Sequence, residues 1–207
     1  PSSIPNEVST PFGSLVGSYE ESILTGRMST LPSLPLWFIA QMGVLGSGPG
    51  CPSKLRCPPH ISIDFPAYFY THEEESAPSP YVGTLDLALD PSPRDLGYRI
   101  PGQGRLQIII KNSQKTAVRL FLIPYNLQDM PIGYKTFLRQ MIYRETVGKP
   151  RRVLGSAIHL HIRRTSRTRW YVYGPVRVVF GHRVLEQGIG DHEVVETGGP
   201  QDPQWVP

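Results

Sequence analysis

Proline and glycine interrupt this chain about once in every five residues, with 22 and 20 among its 207 positions, and that density leaves little room for long helices. Short strands joined by many turns are what such punctuation permits. The stretches between the interruptions agree, because most alternate apolar and polar residues with a period of two. Residues 36–45 (LWFIAQMGVL) form an apolar run rich in β-formers, expected to be a strand buried on both faces. Residues 60–65 alternate cleanly and continue through Pro66, which marks an edge or a bulge. Residues 81–89 set Leu85, Leu87 and Leu89 on one face. Residues 105–111 and 116–125 flank Asn112-Ser113-Gln114-Lys115, a hairpin. A second hairpin pairs 153–163 with 169–180 around residues 164–168. Residues 135–145 (KTFLRQMIYRE) fit both a helical stripe and a strand face of Phe137, Arg139, Met141 and Tyr143; the β-rich surroundings favour the strand.

Hydrophobic residues make up 39% and charged residues 18%, enough apolar material for a core and too little charge for a disordered chain. The predicted fold class is all-β: an antiparallel sandwich or barrel of about eight to nine strands with long Pro/Gly-rich loops. Residues 1–183 are expected to form one β-rich body, with 12–147 and 148–183 as its two parts, and 184–207 a flexible acidic tail. No run approaches the roughly twenty apolar residues of a membrane-spanning helix, and residues 1–12 have no signal-peptide character. No membrane partner is expected. Two cysteines are not a disulfide framework and favour an intracellular setting.

Charge is polarised along the chain. Residues 1–132 carry 9 Lys/Arg against 11 Asp/Glu, residues 133–183 carry 12 against 1, and residues 184–207 carry none against 5. The basic block contains the candidate site for an anionic partner: Arg151, Arg152, Arg163, Arg164, Arg167, Arg169 and Trp170, with Arg and an aromatic gathered at a hairpin tip. Nucleic acid is one possible partner for it, and the acidic tail is expected to screen part of it. A second candidate is an extended segment bearing Leu15, Val16, Tyr19, Ile23 and Leu24, suited to adding a strand to a sheet edge in its own chain or in a protein or peptide partner.

Other chemistry is sparse. Cys51, Cys57 and His60 are metal-competent, but five residues separate the cysteines and two of those are cationic, so no metal site is expected. His159 and His161 point to one face of their strand and lack a visible third ligand. The glycines at 43, 46, 48 and 50 lack the Gly-Lys-Ser/Thr ending of a phosphate loop. With no nucleophile elbow, zinc-protease or nucleotide motif, neither enzyme activity nor a cofactor is predicted.

Longer motifs point to a family. Residues 12–33 (FGSLVGSYEESILTGRMSTLPS), 55–60 (LRCPPH) and 81–86 (YVGTLD) resemble the shared C-terminal region of the Atos family. So do Gly97-Tyr98-x-Ile100-Pro101, Gly104-x-Leu106-Gln107, residues 136–140 (TFLRQ), 158–160 (IHL) and 171–180 (YVYGPVRVVF). The chain departs from the animal members at 46–54 and after His182. The resemblance implies an uncharacterised domain followed by a meiotic chromosome-segregation domain. It further implies a nuclear non-enzymatic regulator of transcription or chromosomes that works by protein binding, with the cytoplasm as a second location.

Overall fold

The computed structural model describes residues 31–45, 59–70, 79–87, 97–146, 152–181, 191–200 and 204–207. Every regular element among them is a strand: β1 (Leu36–Leu45), β2 (Ile61–Tyr68), β3 (Tyr81–Asp86), β4 (Tyr98–Ile100), β5 (Gln103–Lys111), β6 (Ala117–Asn126), β7 (Lys135–Thr146), β8 (Val153–Ser166), β9 (Arg169–Phe180) and β10 (Asp191–Gly198). All ladders are antiparallel, in the order β10-β7-β8-β9-β3-β2-β1-β5-β6, with β4 also on β9. The sheet curls almost into a barrel. The all-β expectation holds, and β4 and β10 are the strands it did not anticipate.

Alternation decides which side of each strand enters the core. Phe38, Ala40, Met42 and Val44 on β1 are buried, as are Leu106, Ile108 and Ile110 on β5 and Phe121, Ile123 and Tyr125 on β6. They join residues of β8 and β9 in one cluster spanning the curl. Phe38 sits among Phe65, Tyr81 and Phe180 with ring centroids 4.9–6.1 Å away, tying β1, β2, β3 and β9 together. Pro66 lies opposite Trp37, where β3 has not yet begun to pair with β2; β3 meets only Ala67 and Tyr68. The missing N–H is therefore tolerated there.

β7 is a strand, as its surroundings suggested, but its core face is the less apolar one. Thr136, Gln140 and Ile142 are buried, whereas Phe137, Arg139 and Met141 are half-buried on the other side. Gln140 is usable there because its amide is fully employed: Nε2 donates to Leu122 O at 2.8 Å and to Thr197 Oγ1 at 2.9 Å.

The tail expectation needs correction. Residues 191–198 form β10 along β7, from Asp191 opposite Thr146 to Gly198 opposite Arg139. Further on, Lys135 and Val206 exchange backbone hydrogen bonds of 2.6 and 2.9 Å, and Trp205 packs on the core. Two ion pairs add to the backbone pairing of β10: Glu193 meets Arg119 at 2.8 Å, and Glu196 meets Arg152.

The two ends of the sheet, β6 and β10, are not joined by a ladder. Side chains tie them instead, through Gln140 and through Arg119, whose two Nη atoms bond Glu193. Replacing Gln140 by Leu would leave the Leu122 carbonyl without this donor. Its urea midpoint is expected to fall by the equivalent of about 1–3 kcal/mol. An unchanged midpoint would show that this tie carries no stability.

Candidate functional site

The first surface is the seam itself. Ala117, Val118, Leu120 and Leu122 of β6 face Ile142 of β7 and Val195 of β10 across a cleft of about 470 Å³. Leu120 and Val195 are 44% and 54% exposed, unusual for apolar residues so close to a core. The register tells which backbone groups face the cleft. A bulge near Lys111 gives β6 an extra residue, after which Arg119, Phe121 and Ile123 oppose Ile110, Ile108 and Leu106. Leu122 O turns away from β5 to accept from Gln140, and Leu120 shares its parity. Pro124, also of that parity, needs no partner for an N–H. The edge toward β7 thus offers the Leu120 amide and carbonyl as strand-pairing groups.

The second surface is the outer face of β7, β8 and β9. Register places Lys135, Arg163 and Tyr171 in one row, Phe137, His161 and Tyr173 in the next, and Arg139, His159 and Arg177 in a third. Phe137 stacks on His159 at 5.0 Å, and His159 lies edge-on to His161 at 4.7 Å. Arg139 Nε donates to His159 Nδ1 at 3.3 Å, so that nitrogen is unprotonated. Arg163 lies 5.1 Å above the Tyr173 ring. A register shift between His159 and His161, near Gly174 at φ 65°, brings Arg177 rather than Pro175 opposite His159.

Burial, with neighbouring His161, Arg139 and Arg177, pushes the His159 pKa down to about 4. Burial and Arg177 lower that of His161. Both are therefore neutral at pH 7.

The hairpin candidates divide. Arg167 and Arg169 are exposed at the tip. Arg164 is spent inside the fold: its guanidinium donates to the carbonyls of Gln128, Met130, Ser166 and Arg167 and lies 4.5 Å over the Trp170 ring. Trp170 is 8% exposed, rests on Gly102 and donates Nε1–H to Leu127 O at 3.1 Å, so its ring is not a stacking platform for a partner. Arg152 pairs with Glu196 and lies 4.2 Å over Tyr143. Arg151, the segment bearing Leu15, Val16, Tyr19, Ile23 and Leu24, and both cysteines lie outside the described residues. His60 packs against Gly43. Among the described residues, no three His, Cys, Asp or Glu side chains gather to hold a metal.

Sequence reasoning missed Phe137, Arg139, Tyr173 and Arg177 as companions of the histidines, because only the β7–β8–β9 register brings them together. The seam had no sequence signal beyond Pro124.

Residues 15–82 match the model of a domain of unknown function (DUF4210), and residues 153–207 match one described as chromosome segregation during meiosis. Atos homolog protein B of Bos taurus is 31% identical over 100% of this chain and 38% of its own length. Atos homolog protein A of Xenopus tropicalis is 33% identical over 95% of this chain and 21% of its own length. The chain belongs to the Atos family. It spans less than two fifths of these relatives, and no solved structure matches it. In this Atos region the two matched segments meet in one sheet, with Tyr81 and Val82 of β3 opposite Phe180 and Val179 of β9.

Two outcomes follow from these contacts. Arg164→Ala removes the guanidinium shared by four carbonyls and should cost about 2 kcal/mol or more of stability in a denaturant titration. The histidines bind protons more weakly in the folded than in the unfolded chain, so stability should fall as pH drops from about 6.5 toward 4 and level off below. Unfolding midpoints at pH 7 and pH 5 should therefore differ less in His159→Gln than in the parent, and equal differences would remove His159 as the cause.

Proposed function

We propose that this Atos region is a non-enzymatic interaction module of a nuclear, chromosome-associated regulator, and that it takes an extended peptide segment of a protein partner at the seam between β6 and β10. The observation that carries the reading is the unjoined end of the sheet. The Leu120 backbone groups face an apolar cleft whose walls, Leu120 and Val195, are about half exposed. An extended peptide is the ligand that answers both features, pairing its backbone with β6 and placing alternate side chains in the cleft. The chromosomal setting is supported by the model matched at 153–207, which contributes β8, β9 and β10, the last of them lining this seam through Glu193 and Val195. The nuclear setting and the link to transcription rest on the family alone.

The test uses a substitution that spares the fold. Leu120→Pro removes an N–H that faces away from β5, so the β5–β6 ladder stays intact. Peptides selected from a random library against the parent domain should carry alternating apolar residues. They should lose at least tenfold in affinity for Leu120→Pro while its melting temperature stays within a few degrees of the parent. Equal affinity for the two proteins would overturn the reading.

A further inference from the structure

We propose that the outer face of β7, β8 and β9 is a binding surface for single-stranded nucleic acid, separate from the seam. The three rows are the argument. Cations occupy the first and third, Lys135 with Arg163 and Arg139 with Arg177, and an aromatic row of Phe137, His161 and Tyr173 lies between them. On β7 and β8 the rows are two residues apart, about 6.6–6.8 Å, a step comparable to that between successive phosphates of an extended single strand. The cationic rows, two such steps apart, would meet alternate phosphates, and the half-buried rings between them meet bases that have no pairing partner. The exposed Arg167 and Arg169 extend the line beyond the first row, at the β8–β9 turn.

The surrounding charge supports the same class of ligand. None of the nine side chains in the three rows is acidic. On the flanking strands, Asp86 of β3 stands opposite Pro175, on this face beside Arg177, and Glu196 of β10 stands opposite Met141 with its carboxylate held by Arg152. Arginine supplies all but one of the row cations, and its planar group both pairs with phosphate and stacks on bases. A duplex keeps its bases stacked inside and gives the aromatic row nothing to hold, so single strands are preferred. Both histidines point into this surface, where phosphate would favour their protonated forms. The same charge would repel the Arg139 Nε–H from His159 Nδ1 and turn that guanidinium toward the ligand.

The experiment is fluorescence anisotropy with a labelled thymidine oligonucleotide of about twelve nucleotides and a duplex of equal length, at salt from about 50 to about 200 mM. The parent should bind the single strand more tightly than the duplex. Tyr173→Ala should weaken single-strand binding about 5- to 100-fold. Arg177→Gln and Lys135→Gln should each lower the salt slope by about one. Lowering pH from 7 to 5.5 should tighten binding in the parent and have less effect in a His159→Gln, His161→Gln double variant. Circular dichroism melts of every variant establish that the fold persists, and Tyr173→Phe, which keeps the ring, should restore affinity if Tyr173→Ala is unstable. No binding at low salt overturns the proposal, as does equal binding of duplex and single strand with no loss in Tyr173→Ala. Both results leave the seam reading untouched, since Leu120→Pro lies on another face and should bind the oligonucleotide as the parent does.

Discussion

A ten-stranded antiparallel sheet that curls on itself must either join its last strand to its first or protect two edges, and this one does neither completely. β6 approaches β7 and β10, but side chains make the junction: the Gln140 amide on Leu122 O and the Arg119–Glu193 fork. A ladder would have used every edge amide and carbonyl along the contact. Two polar ties hold the curl at separate points and leave an apolar cleft with unused pairing groups between them. Exposed edges invite aggregation, and natural sheets blunt them with charge, proline or bulges. β6 carries all three, in Arg119, Pro124 and the bulge near Lys111. Those devices suit an edge that must stay available without pairing indiscriminately.

The same incomplete closure explains the segregation of charge. Glu193 and Glu196 of β10 turn to Arg119 and Arg152 at the edge of the sheet, so the outer rows of β7, β8 and β9 keep their positive character. His159 and His161 are neutral because burial disfavours their charged forms, with the neighbouring arginines adding to the effect. The fold accepts that crowding because the rings stack and shield one another rather than lying flat on solvent. The inner face of this half of the sheet holds the main core, while the outer face carries the cationic rows and, beside the third of them, a small apolar cluster that includes Met141, Ala157 and Val179.

Period two made most of the strands legible, and the hairpin around Asn112–Lys115 most directly, since turn chemistry and flanking alternation agree there. β7 was harder because Thr136 and Gln140 stand at core positions, where a polar residue signals outside unless its partner on another strand is known. β10 was read as a tail for the same reason: ion pairs and backbone pairing with β7 take the place of an apolar stripe. The basic block was visible as composition, but composition could not separate Arg164 and Trp170, which close the turn region from inside, from Arg139 and Arg177, which face outward. That separation depends on register across three strands. Local sequence carries turn signals and strand alternation, while the seam and the cationic face arise from pairings between residues far apart in the chain.

Amide hydrogen exchange at β6 tests the open seam most directly. The ladder assigns the amides of Arg119, Phe121 and Ile123 to β5 and leaves the Leu120 amide facing the cleft. Leu120 should therefore exchange orders of magnitude faster than Phe121 and Ile123 under native conditions. Slow exchange at Leu120, matching its two neighbours, would mean that the sheet closes through β6 and that no edge remains for a partner.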